Sequence, residues 1–115
     1  MAVILCIDDS ENGLLVRKLL LETQGHQVLA ALTAEHALEQ FLTNQVKLVV
    51  SDYLLKETTG IELAKAMRSL KPEVPFILLS GQLDPPDDMR DVDVFVTKGG
   101  GPHHLLEVIT DLLGG

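Results

Sequence analysis

Val3-Ile4-Leu5-Cys6-Ile7-Asp8-Asp9 decides the fold: an unbroken apolar run that ends in two acids. A run this short, with no polar alternation, reads as a strand buried on both faces, the habit of a parallel sheet. The pattern recurs at Leu48-Val49-Val50-Ser51, which ends in Asp52. An ionised carboxylate is costly to bury without a partner, so acids at the ends of two buried strands need a reason. A shared divalent cation supplies one, because hard cations take carboxylate oxygens as ligands. The carboxyl edge of the sheet is therefore where function is expected.

Outward from these runs, strand and helix periods alternate. Leu14, Leu15, Lys18-Leu19 and Glu22 follow a helical period, with Ser10 as N-cap, Glu11 at the positive end of the helix dipole and Gly25 as a stop. Val28 to Leu32 reads as a second strand, and Thr33 caps a helix carrying Ala34, Ala37, Leu38, Phe41 and Leu42. After the third strand, Leu48 to Ser51, a loop from Tyr53 to Thr59 leads to a helix opened by Gly60. Its buried side is expected to hold Ile61, Leu63, Ala64, Met67 and Leu70, and it ends before Pro72. Phe76 to Leu79 and Val92 to Val96 read as the last two strands, and Pro102 begins a final helix with Leu105, Leu106, Ile109 and Leu112. Such alternation implies an α/β fold: a doubly wound five-stranded parallel sheet with right-handed crossovers and helices on both faces. One segment breaks the pattern. Between Ser80 and Lys98 a helix is due, yet Pro85 and Pro86 leave room for a turn or two at most.

The chain's 115 residues fit a single domain, 1–115, large enough to bury a core without staples. A formal charge of −8 argues against direct nucleic-acid binding, since phosphate backbones attract basic surfaces. No apolar run reaches bilayer-spanning length and no signal-peptide pattern opens the chain, so a cytoplasmic domain without membrane contact is expected. Cys6, the one cysteine, lies inside the first strand and is expected to be buried and inert.

Ligands of open parallel sheets bind beyond the carboxyl ends of the strands. Asp8, Asp9, Asp52, Ser80 and Lys98 all stand at or just past such ends. Acids to hold a magnesium ion, and a hydroxyl and a lysine to take phosphoryl oxygens, suit phosphoryl transfer to a carboxylate. Aspartate is itself a competent nucleophile that forms an acyl phosphate. Taken singly, these residues have ordinary readings as caps, turn residues or strand-end hydroxyls, and Phe95 as a packed aromatic. Their alignment at successive strand ends is what capping does not explain. His103 and His104 point about 100° apart on a helix and read as solvated. The acids Asp84, Asp87, Asp88, Asp91 and Asp93 lack the glycine and closing glutamate of a calcium loop and read as a solvated face.

The order Asp8-Asp9, Asp52, Gly60, Ser80-Gly81 and Phe95-Val96-Thr97-Lys98 resembles the receiver domain of two-component response regulators, the CheY-like superfamily, over essentially the whole chain. The resemblance implies flavodoxin-like strand order 2-1-3-4-5. It implies Asp52 as phosphoacceptor from a sensor histidine kinase or phosphotransfer protein, and magnesium held by Asp8, Asp9, Asp52 and the backbone carbonyl of Leu54. Lys98 is implied to pair with phosphoryl oxygens, and Ser80 to move toward the phosphoryl group into space that Gly81 leaves open. Phe95 is implied to turn inward with it, as a switch that an output protein reads. Such a protein catalyses only its own phosphorylation and dephosphorylation.

Four departures from the family pattern stand out. Gly99-Gly100-Gly101 replaces the usual proline after Lys98, giving the lysine a freer backbone. Lys56 stands where proline is common, and Leu54 where many receivers carry a polar side chain; with Gln82, Leu54 is expected to alter water's access to an acyl phosphate. The span from Ser80 to Lys98 is shorter than usual by about one helical turn, so output is expected to be rerouted. The competing readings are a phosphorylation-independent receiver used as a binding module and a small phosphatase of the haloacid dehalogenase type. The latter expects Asp-x-Asp after the first strand and a cap insertion, and a flavodoxin-like nucleotide binder expects a glycine-rich phosphate loop there. The sequence favours a stand-alone receiver or one excised from a longer chain.

Overall fold

The computed structural model describes residues 2–114. Five strands, β1 (Val3–Ile7), β2 (Gln27–Ala31), β3 (Leu48–Asp52), β4 (Phe76–Ser80) and β5 (Val94–Thr97), form one parallel sheet in the order β2-β1-β3-β4-β5. The helices are α1 (Glu11–Glu22), α2 (Ala34–Thr43), α3 (Gly60–Leu70) and α4 (Pro102–Leu112), with a single 3-10 turn at Lys98–Gly100. The expected doubly wound order is therefore observed.

The apolar runs form strands because both sheet faces are covered. On one face Leu5, Ile7, Val49 and Leu78 pack with Phe41 of α2 and Leu63 and Met67 of α3. On the other, Ile4, Cys6, Val50 and Ile77 pack with Leu14 and Leu21 of α1 and Leu105 and Ile109 of α4. Cys6 is fully buried, and burial pushes its thiol up to about 12, so it stays protonated and inert at neutral pH.

The helices start where the sequence places caps. The hydroxyls of Ser10, Thr33 and Thr59 accept from the backbone N–H groups of Gly13, His36 and Glu62. Gly25 takes a left-handed φ of +87° just past α1, which a side chain would resist.

Several expectations need correction. β2 and β5 are shifted relative to Val28–Leu32 and Val92–Val96, and β3 and β4 each extend one residue, to Asp52 and Ser80. Apolar Leu15 and Leu19 of α1, Leu42 of α2 and Leu70 of α3 are exposed, although they keep the helical period. Helical spacing defines a stripe, and only its centre meets the sheet.

No helix forms among residues 81–93, all of them described. The chain crosses from β4 to β5 as irregular backbone, with one turn closed by Val92 N–H to the Met89 carbonyl. Met89, Val92 and Phe95 pack against the core face shared with α2 and α3, doing in part what a helix would do. The crossing is pinned at its far end by Asp93, which is exposed as expected but is also engaged in hydrogen bonds. Its carboxylate accepts from Phe76 N–H at 2.7 Å and from Arg68 Nη2 at 2.6 Å, while Arg68 also donates to the Asp91 carbonyl. Asp93→Ala strands the N–H at the start of β4, so we expect a loss of about 1–2 kcal/mol, read as a lower urea midpoint at unchanged slope.

Candidate phosphoacceptor site

Strand order reverses between β1 and β3, and the crevice beyond their carboxyl ends is where the topology leaves a ligand room. Asp8 follows β1, Asp52 ends β3, Ser80 ends β4 and Lys98 follows β5. Asp8, Asp52 and Ser80 are buried, whereas Asp9 is exposed.

The carboxylates of Asp8, Asp9 and Asp52 each offer an oxygen within 4.8 Å of the others. Three carboxylates this close repel one another, and two cations meet them. Lys98 Nζ lies 2.7 Å from Asp52 Oδ1 and 3.8 Å from Asp8 Oδ2. Arg17 Nη1 lies 3.2 Å from Asp8 Oδ2, and the other Asp8 oxygen accepts from Ser10 N–H at 2.9 Å. One formal negative charge remains uncompensated, so the donor set fits a hard divalent cation.

Lys98 reaches Asp52 in spite of the three glycines that follow it. It begins the 3-10 turn, and Gly101, at φ +84°, redirects the chain into α4 with Pro102 in its first turn. A small cleft of about 180 Å³ opens beside this pair, lined by Asp52, Tyr53, Leu54, Ser80, Gly81, Gln82 and Lys98. Ser80 Oγ accepts from Gln82 N–H at 3.1 Å, and a side chain at Gly81 would meet nothing within 4 Å.

The loop after β3 is shaped by an isolated antiparallel bridge between Leu54 and Thr59. Its hydrogen bonds run from Leu55 N–H to the Thr58 carbonyl and from Gly60 N–H to the Tyr53 carbonyl. Leu54 keeps its own carbonyl outside that ladder, as a non-hydrogen-bonded partner does. Phe95 is half-buried and paired in register with Leu78, on the sheet face away from α1 and α4. His103 and His104 are both exposed.

Arg17 escaped the sequence reading. Its spacing from Leu14 and Leu21 puts it on the buried stripe of α1, and a lone cation there needs a carboxylate partner. Long helical side chains lean toward the helix N-terminus, which here means toward Asp8.

The family model described as the response regulator receiver domain matches residues 4–110. The chain is 26% identical to the response regulator SaeR of Staphylococcus aureus strain USA300, a match covering 98% of this chain and 51% of SaeR. It thus spans about half the length of the curated relatives it matches. The crystal structure of the response regulator TrrA from Thermotoga maritima in complex with Mg(2+)-BeF superposes with a TM-score of 0.92, at 28% identity, covering 97% of this chain and 99% of that one. A complex of the histidine kinase ThkA with TrrA matches with the same TM-score and identity, over 99% of this chain and 100% of that one. Among the described residues, no helix is long and apolar enough to cross a membrane. With the strand order, the acid cluster and the lysine in place, this chain belongs to the response regulator receiver domains of two-component systems.

Proposed function

We propose that Asp52 is the phosphoacceptor, taking a phosphoryl group from the phosphohistidine of a sensor histidine kinase or phosphotransfer protein. The observation that carries this reading is the 2.7 Å contact of Lys98 Nζ with Asp52 Oδ1 beside two further carboxylates. The Asp52 carboxylate attacks phosphorus, the bond from phosphorus to the donor nitrogen breaks, and a new bond to the Asp52 oxygen forms. Lys98 passes from the carboxylate to a phosphoryl oxygen, so the cation is never left without a partner. A magnesium ion fits the donor set of Asp8, Asp9, Asp52 and the Leu54 carbonyl, and when bound it neutralises phosphoryl oxygens. The TrrA complex with Mg(2+)-BeF supports that ion, and the ThkA–TrrA complex supports the kinase as partner.

Ser80 releases its bond from Gln82 and turns toward the new oxygens, Gly81 leaves the approach open, and Phe95 follows inward as the reporting side chain. An output protein reads that change. We take residues 1–115 as a single receiver domain working in the cytoplasm without direct nucleic-acid contact. The test is intact mass after incubation with acetyl phosphate and magnesium, with Asp52→Ala as control.

One observation favours a binding module that works without phosphorylation: the irregular chain where the resemblance implies a helix. Phosphorylated and unphosphorylated chain binding one partner equally would select that reading.

Leu54 is largely exposed at the mouth of the cleft, with Gln82 on its other lip. An apolar group there cannot orient water. Leu54→Asn, whose amide can hydrogen-bond and orient a water, should shorten the phosphoryl lifetime by roughly two- to tenfold, the scale of about one hydrogen bond, measured as loss of the phosphorylated mass after the donor is removed. An unchanged half-life rejects a role for Leu54.

A further inference from the structure

Arg17 is the one charged side chain in the site that the phosphoryl-transfer scheme leaves without a task. It projects from the buried stripe of α1, between Leu14 and Leu21, and only 11% of its side chain is exposed. Its single ion-pair partner among the described residues is Asp8, whose side chain is 2% exposed. The contact falls on Asp8 Oδ2, the oxygen that also lies 3.8 Å from Lys98, and so on the side of Asp8 that faces the site.

We infer that Arg17 is a built-in counter-ion that competes with the divalent cation for Asp8 and sets a low metal affinity. The inference rests on the magnesium reading given above and adds a residue to it. Two physical effects act in the same direction. A guanidinium held against a buried carboxylate raises the local potential, which repels a second cation. It also occupies lone-pair directions of Oδ2 while Ser10 N–H occupies Oδ1, so a metal must share the carboxylate or displace a donor. In return, Arg17 keeps the buried Asp8 neutralised when no metal is bound, so the empty site costs the fold little. A guanidinium suits that task because its planar fork of donors matches a carboxylate and it is more weakly hydrated than an ammonium.

The test is calorimetric titration of the full chain with magnesium chloride in metal-free buffer, without any phosphodonor. The fluorescence of Tyr53, the chain's one tyrosine and the neighbour of Asp52, provides a second readout. Arg17→Met and Arg17→Gln remove the charge, and Arg17→Lys keeps it. Both neutral variants should bind magnesium about three- to tenfold more tightly than wild type, and the lysine variant within about twofold of it. In metal-free buffer the neutral variants should melt below wild type and recover more on magnesium addition, because they leave Asp8 unpaired until the ion arrives. Equal or weaker binding by both neutral variants overturns the inference while leaving the metal site intact, and so does a melting deficit that magnesium fails to repair. Failure of wild type and every variant to bind magnesium overturns the metal reading and the inference together.

Discussion

Incubated with acetyl phosphate and magnesium, the chain should gain the mass of one phosphoryl group, and Asp52→Ala should gain none. The expectation rests on what makes Asp52 different from its neighbours. Asp8 already has a donor on each oxygen, from Ser10 and Arg17, and Asp9 is exposed with no ion pair among those found in the described residues. Asp52 alone is buried at the end of a central strand, in contact with a lysine and open to the cleft of Ser80 and Gly81. Removing it removes the nucleophile, so the loss should be complete at the sensitivity of intact mass rather than partial. Chelating the metal should slow the wild-type reaction by orders of magnitude, roughly the scale of lost Lewis-acid and electrostatic stabilisation. A mass gain that survives Asp52→Ala places the acceptor elsewhere and rejects the assignment.

Gly60→Ala should be the most damaging glycine-to-alanine change among the described residues. A Cβ at this position would stand 2.5 Å from Leu78 Cδ1 and 2.6 Å from the Asp52 carbonyl oxygen. The second obstacle is backbone of a central strand and cannot rotate away. Overpacking of this kind costs about 1–3 kcal/mol, and here the upper end applies because α3 must lift from the sheet. Gly60 N–H also donates to the Tyr53 carbonyl, so the displacement runs directly into the loop that follows Asp52. We expect a clear fall in the urea midpoint together with slower labelling by acetyl phosphate. Gly81→Ala, with nothing within 4 Å of the added methyl, should leave stability near wild type and serves as the control. Equal stability for both variants would show that α3 does not pack this closely.

The sequence made much of this legible, for identifiable reasons. Apolar runs without alternation announced buried parallel strands, and the acids at their ends announced the site, because neither feature is cheap to carry without cause. Ser10 and Thr33 were legible as caps, since a hydroxyl before a helical period has few other uses. Strand ends were less so: Asp52 and Ser80 join their strands through backbone pairing, which their polar side chains conceal. The exposed positions of Leu15, Leu19 and Leu70 were hidden because periodicity gives an angle around a helix and not the width of what covers it. Arg17 and Asp93 were missed for a common reason. Each is defined by a partner distant in sequence or across a loop, and charge alone does not say whether a residue faces water or a buried group.

The segment joining β4 to β5 has an energetic meaning beyond its geometry. A helix satisfies its own backbone and opens as a unit, whereas this crossing holds itself by one turn, by the Ser80–Gln82 contact at one end and by the Arg68–Asp93 clasp at the other. Between those anchors Met89 and Val92 rest on the core, but there is no helical ladder to break, so opening should cost less than unfolding a packed helix and lie toward the low end of the local unfolding spectrum. A partner that captures it must supply the ordering entropy itself, which trades affinity for ready reversibility. On the proposed reading, signal readout on this flank becomes a matter of how much further order the phosphorylated site can donate to a loosely held chain.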